Sequence, residues 1–208
     1  MLAWMLVAPQ LRDRWLLHLL LQALLLNAVL VTLWSNPEWQ RLRGVALGLW
    51  LVSVTGSLVV LAPVPERWAL LALAAETASL LPLLALISIG ILRFVYHSRS
   101  LTIDGIFATI VVYVLIALTF ARLYLLLMGL DPQSFDLGVP AAGLSPYQTQ
   151  VDLLYFSLIT LATVGYGDIL PVSDTARMLA MIEAVVGQFY VAVIVAVFVG
   201  MYASQRRG

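Results

Sequence analysis

The chain has 208 residues, of which 62% are hydrophobic and 11% charged, whereas an ordinary soluble domain is about a quarter charged. One globular core cannot absorb that apolar excess, so part of the solvent is expected to be lipid. The net charge of zero gives no global field for nucleic acid, and the absence of Cys excludes disulfides, thiolate metal sites and cysteine nucleophiles.

Met1 to Pro9 is apolar, but Arg12 and Arg14 follow it rather than precede it. A cleavable signal needs the reverse order, so none is expected. A spanning helix needs about 20 mostly apolar residues, and five stretches qualify. They run from Trp15 to Trp34, Val45 to Ala62, Trp68 to Phe94, Ile106 to Leu130 and Asp174 to Tyr202. Ionisable groups within them include His18, Glu76, Arg122 and Glu183. His18 reads either as a proton sensor or as a side chain hydrogen-bonded within the bundle. The connections are short and polar: Ser35 to Gly44 with Arg41 and Arg43, Pro63 to Arg67 with two prolines, and Tyr96 to Gly105 with Arg99. We read residues 1–99 as an accessory region of about three spans and residues 100–208 as a separate module.

Asp131 to Ser173 differs. A loop with Gly138, Pro140, Gly143 and Pro146 leads into an apolar run, Val151 to Thr163, that is too short to span. Such a run is expected to be re-entrant or buried. The strand that leaves it reads Thr163-Val164-Gly165-Tyr166-Gly167-Asp168. Irregular backbone at membrane depth survives only beside protein or water. Stripping water from a cation calls for a ladder of replacement oxygens. Backbone carbonyls can supply it if successive ones point the same way, which requires alternating backbone handedness. Glycines two apart, Gly165 and Gly167, accept that cheaply.

Thr160 to Asp168, followed by Pro171, resembles the pore of the potassium channel family, whose carbonyl filter is a standard illustration of ion selectivity. The resemblance covers roughly Ile106 to Tyr202. It implies an all-α membrane protein with an outer helix, pore helix, filter and inner helix. It implies K+ sites lined by carbonyls of Thr163, Val164, Gly165 and Tyr166, and a cyclic homotetramer, because each chain supplies one strand. Gly167 completes the strand, and the C-terminal end of the short helix points at the pore axis. Thr160, Tyr155 and Phe156 are expected to support the filter, the two aromatics packing around Tyr166. Ile159 departs from relatives that carry a carboxylate there.

Asp131, Asp136, Asp152, Asp168 and Asp174 make every charge between Leu123 and Ala176 acidic. Asp168, Asp131 and Asp136 read as a negative outer vestibule, or more plainly as a solvated loop. Gly187 reads as a hinge or as a close-packing position. Ala192, Val195 and Val199 read as a wide cavity and hydrophobic gate, or as a helix end packed on neighbours. At 1.5 Å per residue, Arg122, Glu183 and Glu76 fall about 12–14 Å below the outer ends of their spans. We expect Arg122 to pair with Glu183, with Glu76 second in line; alternatively Arg122 snorkels to the outer interface.

An outward-opening pore loop puts Arg206 and Arg207, and the Arg93/Arg99 and Arg41/Arg43 connections, in the cytoplasm, in keeping with the positive-inside rule. Five spans then put Arg12 and Arg14 outside, unless Met1 to Leu11 adds a short membrane helix. No span has the repeated basic residues of a voltage sensor, and no nucleotide or calcium loop is present. The tail after Tyr202 is too short for a ligand-binding domain. The function read here is passive, potassium-selective conduction in a cell membrane. No enzyme chemistry is expected, no cofactor beyond permeant K+ ions, and no soluble or nucleic-acid partner. A non-selective cation channel and a non-conducting membrane sensor or scaffold are the alternatives.

Overall fold

The computed structural model describes residues 25–34, 37–61, 65–97, 103–138 and 146–205. His18, Met1 to Leu11, most of the first expected span, Arg99, Arg206 and Arg207 lie outside the described residues. The order is α1 (Leu25–Trp34), a 3-10 turn (Pro37–Leu42), α2 (Arg43–Leu61), α3 (Glu66–His97), α4 (Ile103–Leu130), β1 (Phe135–Asp136), α5 (Pro146–Leu161), β2 (Leu170–Pro171) and α6 (Asp174–Gln205). The chain forms two compact units, Met1–Ile87 and Ser88–Gly208, with α3 running through both.

Among the described residues, three helices are long and apolar enough to cross a membrane: Leu70–Tyr96, Ile103–Leu130 and Asp174–Ala203. They match the third, fourth and fifth expected spans. The second expected span is helical, but its apolar stretch, Arg43–Val59, is shorter than a full span. Pro82 sits inside α3, a position that membrane helices tolerate because neighbouring groups re-satisfy the freed carbonyl.

In the first unit α2 meets α3 at Gly56. A Cβ there would lie 3.0 Å from Glu76 Cβ and 3.1 Å from the Ala72 carbonyl. Beside this contact Ser57 Oγ donates to Glu76 Oε1 at 2.8 Å, so the buried Glu76 is held by a hydroxyl on α2.

The second unit contains the short helix and the irregular strand that follows it. Proline opens α5 at its first turn, where its missing N–H costs nothing. The Ser173 hydroxyl accepts from Ala176 N at 3.2 Å and caps α6. On either side of α5 and the strand that follows it, the chain makes one feature the sequence did not announce. β1 and β2 pair antiparallel, Phe135 opposite Pro171 and Asp136 opposite Leu170. Val172 N extends the ladder to the Ser134 carbonyl at 2.8 Å. This two-residue pairing fastens the chain leaving the strand to the loop that leads into α5.

The core lies behind α5. Tyr124, Phe135 and Phe156 stack edge to face, with centroids 5.2, 5.3 and 5.5 Å apart. Phe120, Leu153, Ile169, Ala176 and Ala180 close around them. On its other side α6 comes against the end of α5 at Gly187, where a Cβ would sit 2.1 Å from the Leu161 carbonyl oxygen. That separation has room only for hydrogen. Gly187→Ala must therefore push α6 off α5, and overpacking of this kind costs about 1–3 kcal/mol. Thermal unfolding in detergent should show the loss.

Candidate functional site

The site is built from the end of α5 and the strand that follows. The helix ends in two reverse bonds: Val164 N donates to the Ile159 carbonyl at 2.8 Å and Thr163 N to the Thr160 carbonyl at 2.9 Å. This is a Schellman closure, which needs a left-handed residue at the position Thr163 occupies. Thr163 has φ of 57°, unusual for a β-branched residue and costing about 1–3 kcal/mol unless the surroundings enforce it. Here two backbone bonds and one side-chain bond enforce it: Gln188 Nε2 on α6 donates to Thr163 Oγ1 at 3.0 Å.

Positive φ then returns at Gly165 (52°) and Gly167 (79°), with Val164 and Tyr166 between them at negative φ. The backbone thus alternates in hand from 163 to 167, as the glycine spacing predicts. Among the described residues, no donor within the chain bonds the carbonyls of Thr163, Val164, Gly165 or Tyr166. A Cβ at Gly165 or Gly167 would meet nothing within 4 Å, so these glycines are required by dihedral angle and not by crowding. The whole stretch Ala162 to Asp168 is exposed, Val164 at 50% and Tyr166 at 71%.

At the far end of the strand Tyr155 Oη donates to Asp168 Oδ2 at 2.7 Å. Tyr155 lies outside the three spans. That bond, with some desolvation, pushes its hydroxyl up to about 12 from the usual 10. It therefore stays a donor at any physiological pH. Asp168 also accepts from Ile169 N at 3.2 Å. Asp131 and Asp136 are exposed, and each accepts from the backbone N–H two residues on, Gln133 at 3.1 Å and Gly138 at 2.9 Å.

A family model described as "Ion channel" matches residues 110–204. Protein LctB of Bacillus caldotenax is 33% identical over 101 residues, 49% of this chain and 75% of that protein. Protein LctB of Geobacillus stearothermophilus matches over the same shares. The chain belongs to the potassium channel pore family. Two pore potassium channel b of Oryza sativa subsp. japonica is 50% identical over 44 residues, 19% of this chain and 13% of that protein. No solved structure gives a significant match.

Within this chain of the channel family two expected contacts are corrected. Phe156 does not stand beside Tyr166 of the same chain; it is buried against Tyr124 and Phe135. Successive helical residues point about 100° apart, so Tyr155 and Phe156 cannot face one target. Nor does Glu183 pair with Arg122. Its carboxyl oxygens meet the hydroxyls of Tyr124 and Ser157. Arg122 lies two residues from Tyr124, about 200° round α4, and so points away from α6. Glu76 belongs to the first unit, where Ser57 holds it.

Gly187 packs against α5, the close-packing alternative of its two readings. Ala192, Val195 and Val199 are exposed along α6. Thr160 is half-buried, and its carbonyl takes the Thr163 amide. Gln188 was not a sequence candidate. Its adjacency to Gly187, one helical step from the contact with α5, was the only signal. Gln188→Leu frees the Thr163 hydroxyl. A neutral hydrogen bond contributes about 0.5–1.5 kcal/mol net, so cation flux in liposomes should fall by up to about tenfold with folded protein unchanged.

Proposed function

We propose that four copies of this chain surround one axis and conduct potassium passively and selectively through a filter of backbone carbonyls. The observation that carries the reading is the alternating strand, Thr163 to Gly167, whose carbonyls from Thr163 to Tyr166 accept from no donor among the described residues. Four such strands give rings of oxygens that can replace a cation's hydration shell. A single strand cannot surround an ion. The exposure of Val164 and Tyr166 in one chain agrees with faces that neighbouring copies cover.

The filter residues are Thr163, Val164, Gly165, Tyr166 and Gly167. The α5 C-terminus brings the negative end of a helix dipole to the inner mouth. Tyr155 holds Asp168 at the outer mouth, where Asp131 and Asp136 add negative charge. Gln188 sets the inner end. The pore loop opens outward and the C-terminal end of α6 faces the cytoplasm.

Purified protein in liposomes tests this directly. Uptake of potassium with sodium excluded supports it. Equal uptake of both ions points to a non-selective cation channel, and none points to a sensor or scaffold. Gly165→Ala places a Cβ on a residue at φ of 52°, which costs about 1–2 kcal/mol for an L-residue. Potassium flux should vanish in that variant while it still assembles; normal selective flux would remove this strand from the filter.

The vestibule has its own test. Asp131→Asn with Asp136→Asn keeps both local acceptors and removes only charge. Conductance should fall in dilute salt and recover in concentrated salt, because screening shortens from about 30 Å at 0.01 M to about 3 Å at 1 M. A loss that ignores salt would make the role structural.

A further inference from the structure

Glu183 is fully buried, at 0% exposure, and lies off the carbonyl strand. Three oxygen-to-oxygen contacts meet around it. Tyr124 Oη is 2.5 Å from Glu183 Oε2. Ser157 Oγ is 2.7 Å from the Ala117 carbonyl oxygen and within hydrogen-bond reach of Glu183 Oε1. At such separations each contact needs a proton between the two oxygens.

The protons can be counted. A tyrosine hydroxyl and a serine hydroxyl carry one each. A carbonyl carries none, and an ionised carboxylate carries none. Two protons cannot serve three contacts. If Ser157 donates to Glu183, its contact with Ala117 is left as two facing lone pairs, and the reverse choice leaves the contact with Glu183 bare. The third proton has one possible source. We infer that Glu183 is held as an uncharged carboxylic acid that donates from Oε1 to Ser157 Oγ. Ser157 then donates to the Ala117 carbonyl, and Tyr124 donates to Oε2. Every contact is satisfied and every hydrogen used. The state also agrees with the setting: an ionised carboxylate buried against hydroxyls alone carries a large desolvation cost.

The relay joins three elements at one height: Glu183 on α6, Ser157 on α5, Ala117 and Tyr124 on α4. Ser157 precedes Thr163 on the short helix that ends in the strand. Glu183 is thus a positioning residue: it fixes α5, and the strand behind which α5 packs, to both long helices. That role rests on the filter reading above; the protonation state does not.

Infrared spectra of the full chain in lipid vesicles at neutral pH, compared between the natural protein and Glu183→Gln, test the state. The expected result is a carbonyl stretch of a protonated carboxylic acid that the variant lacks. A carboxylate band lost in its place would overturn the inference. Gln supplies an N–H to Ser157 and a carbonyl to Tyr124, so Glu183→Gln should assemble and conduct within about twofold. Glu183→Leu leaves two buried hydroxyls short of a partner and should lose about tenfold or more of folded protein or flux. Equal damage from Gln and Leu would overturn the positioning role. A protonated band in folded protein that passes no cation would support the inference on Glu183 and sink the filter reading, so the two failures are separable.

Discussion

Non-helical backbone inside a bilayer must have its polar groups satisfied by protein or by water. The strand from Thr163 to Gly167 meets this condition unequally, and the inequality is what makes it useful. Its first amides are turned back into α5, where Val164 and Gly165 both approach the Ile159 carbonyl, at 2.8 and 3.4 Å, and Thr163 reaches Thr160. Among the described residues, the carbonyls are left without donors from the chain. The same left-handed turn at Thr163 that closes the helix starts the alternation of hand along the strand. Helix termination and alternating strand are one piece of geometry.

Such a strand contributes little to its own stability, so the surroundings must hold it. They do so from both ends and from behind. At the end nearer α6 in sequence, Tyr155 fixes Asp168, and the β1–β2 pairing carries the chain past Ser134. At the end nearer α5, Gln188 fixes Thr163. Behind, the Tyr124–Phe135–Phe156 cluster is all edge-to-face contact, a geometry worth about 0.5–1.5 kcal/mol per pair beyond burial. Tyr124 belongs both to this cluster and to the hydroxyl set around Glu183, so apolar and polar anchors share one side chain.

The last three spans, the short helix and the strand were legible because each is written in local features: apolar length, a run too short to cross, and two glycines at spacing two. The failures have a common cause. Depth along a helix can be counted from sequence, and Arg122 and Glu183 were placed at similar depth by counting. Azimuth matters as much, and the side of α4 that faces α6 is set by packing. Tyr124, two residues from Arg122, occupies that side. The same geometry separates Phe156 from Tyr155. The φ of Thr163 was hidden for a different reason. A β-branched residue avoids that region by itself, and only the closure of α5 and the amide of Gln188 place it there. The β1–β2 pairing, two residues long and including Pro171, carries no periodic signal to read.

Glycine in the middle of α6 invites the idea of a hinge, but freedom of the residue is not freedom of the helix. Four neighbouring positions tie this part of α6 to the rest of its unit. Glu183 meets Tyr124 and Ser157, Gly187 rests on the Leu161 carbonyl, and Gln188 holds Thr163. Tyr190 donates to the Thr109 carbonyl at 2.6 Å and stacks near Tyr113. Bending at Gly187 would have to break a contact within one residue of the strand it supports. Ala192, Val195 and Val199 lie beyond these four ties and are exposed. Gly200 has nothing within 4 Å of an added Cβ, in contrast to Gly187. A bend at Gly187 would disturb these ties, whereas a bend beyond Tyr190 would leave them in place.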